Sequence, residues 1–360
     1  MQKLGVSCYP GFHNTVAEIE ESLPLAARHG VTEVFTSLHI PESDFKRLFE
    51  ECRALCRIAH GLGMRVTADV SPLAFEKLGA TTGNLKPFRD LGLDAIRQDF
   101  GFEAQKAASM INNPEGLGIM LNASDTSEAG LAALRSAGAR FDNVSACHNF
   151  YPRKYSGLSL EAVIAKSLVF HEAGIPTAAF VASRAKRRAI TYEGLPTVED
   201  HRELPPERAA QELFLTGVID MVLVGDPLTP EEELRALSAV PGRNAVVLRV
   251  ACTPGLAATE RKILFEAPHR QGPGAGYSHV VRSAASRQFG AVQPAHGLER
   301  EVGCVTIDNA NYGRYGGELQ IVLRPQEADP RVNVVARVIE EDMPLLRWID
   351  RVGDFRFVEA

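Results

Sequence analysis

The chain has 360 residues, 45% hydrophobic and 23% charged, which excludes a disordered chain or a small stapled domain and gives room for about two domains. Thirty-nine Lys and Arg against 45 Asp and Glu leave a net charge of −6, which argues against general binding to nucleic acid or a membrane surface. No stretch reaches the roughly 18 continuous apolar residues of a membrane span. The opening MQKLGVSCYPGF has no apolar core or small-residue cleavage site, so a cytoplasmic location is expected.

In chain order, β-rich runs fall at 4–9, 32–38, 65–70, 94–99, 117–122, 141–148, 176–181 and 219–224. Longer amphipathic runs lie between them, among them 44–62, 126–137, 160–172 and 204–216, and Gly30, Gly61, Gly138 and Gly174 mark helix ends. Eight strand–helix units in about 240 residues predict a (β/α)8 barrel over 1–240. The competing doubly wound sheet usually shows GxGxxG after an early strand, whereas the first run here leads into Ser7-Cys8-Tyr9-Pro10. After Pro241-Gly242, short alternating runs at 245–250, 278–282, 303–307, 318–323 and 332–338 predict a small, mostly antiparallel β-domain over 241–360. The GPGAG at 272–276 has no helix after it and reads as a loop. The cysteines at 8, 52, 56, 147, 252 and 304 form no CxxC pair and are expected to be free thiols.

A barrel places its chemistry at the C-terminal ends of its strands, where alternate side chains face the interior. Thr67 and Asp69 share one such face, as do Arg97 and Asp99. The second strand ends in Thr36, Ser37 and His39, the fifth in Asn122, the sixth in His148 or Asn149, and the eighth in Asp226. Two carboxylates across one pocket are the minimum for glycoside hydrolysis. For each Asp the competing reading is an N-cap on the next helix, and Asp69 before Ser71-Pro72 is the more open to it. Cys147 and His148 are consecutive on a strand, point to opposite faces and make no dyad. A metal site built from His39, His148 and His201 is the weaker reading, since the first strand lacks a His-x-His pair.

Two loops stand out. Cys147–Ser159 carries two Tyr, one Arg and one Lys, and Ala182–Glu203 carries Arg184, Lys186, Arg187, Arg188, Glu199, His201 and Arg202. Basic groups and aromatics at the mouth of an acidic body suit a carbohydrate bearing an anion. The bland alternative is a solvated basic loop.

FTSLHIPE (35–42), QDFGF (98–102), LNAS (121–124), CHNFYP (147–152), GLPTVEDHR (194–202), IDNANYGRYGGELQI (307–321) and RVNVVARV (331–338) together resemble the MupG-type 6-phospho-N-acetylmuramidases, over nearly the whole chain. That resemblance implies a cytoplasmic (β/α)8 barrel with a cyclophilin-like β-domain. It implies cleavage of a disaccharide of N-acetylmuramic acid 6-phosphate and N-acetylglucosamine in cell-wall recycling, with no metal or organic cofactor.

The expected catalytic pair is Asp69 and Asp99, with Glu199 in reserve as the acid; the acetamido group of the sugar offers a substrate-assisted route. Arg97 should keep one carboxylate ionised. Asn122, His148, Asn149 and Tyr151 are expected on sugar hydroxyls, and Arg184, His201 and Arg202 on phosphate or carboxylate. From the second domain Asp308, Tyr312 and Arg314 are expected to lean over the barrel mouth. The expected partner is a small anionic carbohydrate, with no nucleic acid and no membrane; a homo-oligomer stays open. An epimerase would need a metal, a Schiff-base aldolase a Lys ending a strand, which none supplies, and a sugar-binding protein would release no reducing end.

Overall fold

A computed structural model describes residues 2–38, 45–98 and 103–360, and the chain divides into two compact units, Met1–Val240 and Pro241–Ala360. In the first, eight parallel strands close into a barrel in sequence order. They are β1 (Lys3–Ser7), β2 (Glu33–Ser37), β3 (Arg65–Val70), β4 (Ala95–Gln98), β5 (Gly118–Asn122), β6 (Val144–Cys147), β7 (Thr177–Val181) and β8 (Met221–Pro227).

Local signals set the helices between them. Thr15 caps Val16–Arg28 with a reciprocal capping box to Glu18, and Ser127 and Ser159 cap Glu128–Ser136 and Leu160–Glu172. Gly30, Gly138 and Gly174 take positive φ just past helix ends, but Gly61 is the last helical residue of Phe45–Gly61 and the left-handed turn falls on Gly63.

The period-2 alternation divides each strand between two cores. Val66, Ala68 and Val70 join the large apolar layer between barrel and helices. Phe35, Met120, Cys147, Ala178, Phe180 and Leu223 fill the barrel interior, with Phe150 and Met221 packed on them. Asp69 stands in register with Ser37 of β2 and Arg97 of β4.

The second unit is a seven-stranded sheet in the order β10-β15-β9-β14-β12-β13-β11. Its strands are β9 (Val246–Cys252), β10 (His269–Arg270), β11 (Val280–Ser283), β12 (Cys304–Asp308), β13 (Leu319–Val322), β14 (Val332–Val338) and β15 (Asp354–Glu359). All its pairings are antiparallel except β9 with β15. The helix Ala258–Glu266 and strands β10 and β15 are additions to the sequence expectation. All six cysteines are free, and five are buried. Among the described residues no helix is long and apolar enough to cross a membrane.

Candidate active site

A cavity of about 620 Å³ opens at the C-terminal ends of the barrel strands. Its lining combines Asp69, Arg97, His148, Asn149 and Tyr151 with an aromatic wall and one edge of the loop after β7. Phe180 meets Phe35 and Phe150 edge-on at 5.1 Å each; Phe35 and Phe180 are buried, and Phe150 is the more open of the three.

The polar side of the cavity is a chain of hydrogen bonds. Arg97, only 3% exposed, donates from one guanidinium nitrogen to Asp69 Oδ1 at 3.0 Å and from the other to Asn149 Oδ1. Asp99 and His39 lie outside the described residues.

Arg188 is the basic group of the β7 loop that lines the cavity. Its guanidinium lies over the rings of Tyr9 and Phe150, at 4.7 and 4.9 Å. Among the described residues it has no carboxylate partner, and its buried Nε has no hydrogen-bond partner. Tyr9 is held by donation to the Gly225 carbonyl at 2.8 Å. Burial, then the Arg188 charge, pushes His13 down to about 4. Asp226 at the end of β8 fixes the loop itself, accepting from the backbone N–H of Ser183, Arg188 and Leu195. Burial raises its carboxyl.

Other expected ligands have structural places instead. Glu199 accepts from the Tyr155 and Gly157 N–H groups at 2.8 and 2.7 Å and from Arg202 at 2.8 and 2.6 Å. The Arg202 hydrogen bonds hold it near pKa 2, the opposite of what a general acid needs, and it does not line the cavity. Arg202, itself buried, spends its remaining donors on the carbonyls of Tyr151, Arg153, Glu193 and Gly194, so it staples the β6 and β7 loops together and is no phosphate ligand. His201 is buried against Glu212 at 2.8 Å. Arg184 is exposed, its N–H given to Glu233. Asn122 closes its own turn, donating to Asp125 and accepting from Ser124 N–H.

His148 is wholly buried, with Nε2 2.8 Å from Ser167 Oγ and Nδ1 3.3 Å from Ser124 Oγ, so its ring is not offered to a sugar hydroxyl. Neighbouring Cys147 is pushed up to about 12 by burial, consistent with a structural thiol. Burial, with Lys166 and Arg97 adding repulsion, holds His148 down at about 3, against an ordinary 6.5. The unfolded chain therefore binds this proton first, and stability is lost as pH falls from about 6.5 toward 3. The urea midpoint should be lower at pH 5 than at pH 7, and His148→Gln should flatten that difference; an undiminished difference removes His148 from the account.

Asp308, Tyr312 and Arg314 belong to the second unit. Asp308 ends β12, where burial and repulsion from Glu318 lift it to about 7. Tyr312 lies under the Arg331 guanidinium at 4.4 Å, and Arg314 donates to the Tyr315 hydroxyl at 3.0 Å.

Residues 4–239 match the family model described as 6-phospho-N-acetylmuramidase, N-terminal, and residues 246–358 match its C-terminal counterpart. The crystal structure of an uncharacterized B. cereus protein is similar to this chain, at 34% identity over 99% of both chains and a TM-score of 0.90. A conserved Enterococcus faecalis protein of unknown function aligns at 29% identity over 99% of this chain and 96% of its own, with a TM-score of 0.77. No curated protein matches.

Proposed function

The chain belongs to the 6-phospho-N-acetylmuramidase family, and from that premise we propose that its barrel hydrolyses the glycosidic bond of a 6-phosphorylated N-acetylmuramyl-N-acetylglucosamine disaccharide released in cell-wall recycling. The observation that carries the reading is one cavity holding a carboxylate braced by a buried arginine, an aromatic wall and a second arginine without a carboxylate partner among the described residues.

In this reading Asp69, in contact with Arg97, takes the anionic part of the reaction: nucleophile, general base, or the group that orients an attacking acetamido oxygen. The proton for the departing glycosidic oxygen then comes from another acid, and the sequence offers Asp99. In this reading Asn149 and Tyr151, which line the cavity, meet sugar hydroxyls, and Arg188 meets phosphate or carboxylate. Arg188→Met should lower kcat/KM on the phosphorylated disaccharide by about 10- to 100-fold, mostly through KM, the worth of one charge-assisted hydrogen bond. An unchanged KM would take the anion away from Arg188.

The test of the function is release of a reducing end from the phosphorylated disaccharide, with and without chelator. Cleavage insensitive to chelator supports a phosphoglycosidase. Binding without release supports a sugar-binding protein, and rearrangement without hydrolysis an epimerase or aldolase.

A further inference from the structure

We propose that Ser124, His148 and Ser167, together with Thr197, form a buried positioning bracket that fixes Asn149 and through it the Arg97–Asp69 pair. The inference rests on the reading of that pair as part of the active site.

Asn149 is held at both backbone groups by hydroxyls from two different loops. Its N–H donates to Ser124 Oγ at 2.9 Å, and its carbonyl accepts from Thr197 Oγ1 at 2.9 Å. Each hydroxyl is itself fixed. Thr197 Oγ1 accepts the Phe180 N–H of β7 at 2.9 Å. Ser124 Oγ faces His148 Nδ1, and its backbone carbonyl accepts from Lys166 Nζ at 2.8 Å. Ser124, His148, Ser167 and Thr197 are all buried.

The bracket gives each of these bonds a direction. Ser124 Oγ accepts from Asn149 and keeps its own proton, which the proposed bracket directs to His148 Nδ1. That leaves the ring proton on Nε2, which donates to Ser167 Oγ on the helix Leu160–Glu172. Burial, with the nearby Lys166 and Arg97 charges, disfavours a second proton on the ring. With its backbone clamped, Asn149 presents Oδ1 to Arg97, and the other branch of the same guanidinium reaches Asp69. Ser167, five hydrogen bonds away and rooted in the helix layer, thus helps to set where the carboxylate stands. Misplacing reacting groups by an ångström costs rate rather than binding.

Kinetics and NMR on the full chain test this. Ser124→Ala should lower kcat about 10- to 100-fold with KM changed less than about threefold. Ser124→Thr should restore most of the loss, and Ser124→Ala should cost little more in an Asn149→Ala background. Fully additive losses, or a fall in KM-controlled binding alone, overturn the bracket. The ring nitrogens of His148, read by 15N shifts at pH 5, should show a protonated Nε2 and a bare Nδ1. Exchange of the Asn149 amide should be about tenfold faster in Ser124→Ala or Ser167→Ala. The reverse tautomer or unchanged exchange overturns it. These last two readings need no substrate, so they separate a failed bracket from a failed assignment of the reaction.

Discussion

Replacing Asp69 by Asn should reduce kcat/KM on the phosphorylated disaccharide by about 10³-fold or more while leaving the fold intact. The carboxylate lies at the mouth of the barrel, its side chain 14% exposed and its Oδ1 3.0 Å from Arg97. Asn keeps the size and can still accept from Arg97, so the barrel loses little packing. It cannot carry the charge that the anionic role demands. The far-ultraviolet spectrum and thermal midpoint should therefore stay near wild type while turnover collapses. Near wild-type turnover would remove Asp69 from the reaction, and Arg97→Lys, which cannot reach Asp69 and Asn149 with one planar fork, should give an intermediate loss.

The second large effect is on stability. Arg202→Met should destabilise the barrel by about 3–5 kcal/mol, because it leaves four backbone carbonyls and a half-buried carboxylate without their shared donor. Arg202 binds both Glu199 oxygens and four backbone carbonyls drawn from the β6 and β7 loops. Without it Glu199 stays ionised beside two N–H donors, and the carbonyls lose their shared partner. For a unit of this size the thermal midpoint should drop by roughly 6–20 °C. Activity should fall with it, because the Tyr151 and Arg153 backbones that Arg202 holds frame the cavity. A midpoint within a degree or two of wild type would mean that the two loops are held by other contacts.

Periodicity made the barrel legible. A side chain's face along a strand follows from parity alone, which is why Asp69 and Arg97 could each be set on the interior face of its strand; that the two touch is seen only in the structure. The same parity misleads at Asn122: it shares the interior face with Met120, yet its short amide is captured by its own turn. In the second unit β15 escaped notice because Asp354–Glu359 is charged at both ends and carries Arg356 at its centre, and its seat between β9 and β10 makes it a strand.

The β7 loop shows the sharper limit. Composition marks Arg184, Arg187, Arg188 and Arg202 as equivalent cations. Folding gives Arg187 to Glu203, Arg202 to Glu199 and a ring of carbonyls, and Arg184 to solvent, while Arg188 turns over Tyr9 and Phe150. What separates a buried staple from a ligand hook is the position of backbone carbonyls brought in from another loop, and no residue pattern along the chain encodes it. His148 and His201 follow the same rule. A histidine ending a barrel strand or lying in a rim loop suggests a ligand, but both rings are buried, His148 against Ser167 and Ser124 and His201 through Nε2 against Glu212.

The measurement that bears most directly on this account is kcat/KM for a muramyl disaccharide with and without its 6-phosphate. The phosphate places a dianion in a cavity whose Arg188 has no carboxylate partner among the described residues. The phosphorylated compound should be preferred by about 10²-fold or more, and that preference should shrink about tenfold or more in Arg188→Met. Equal cleavage of both compounds, or cleavage of neither, would contradict it.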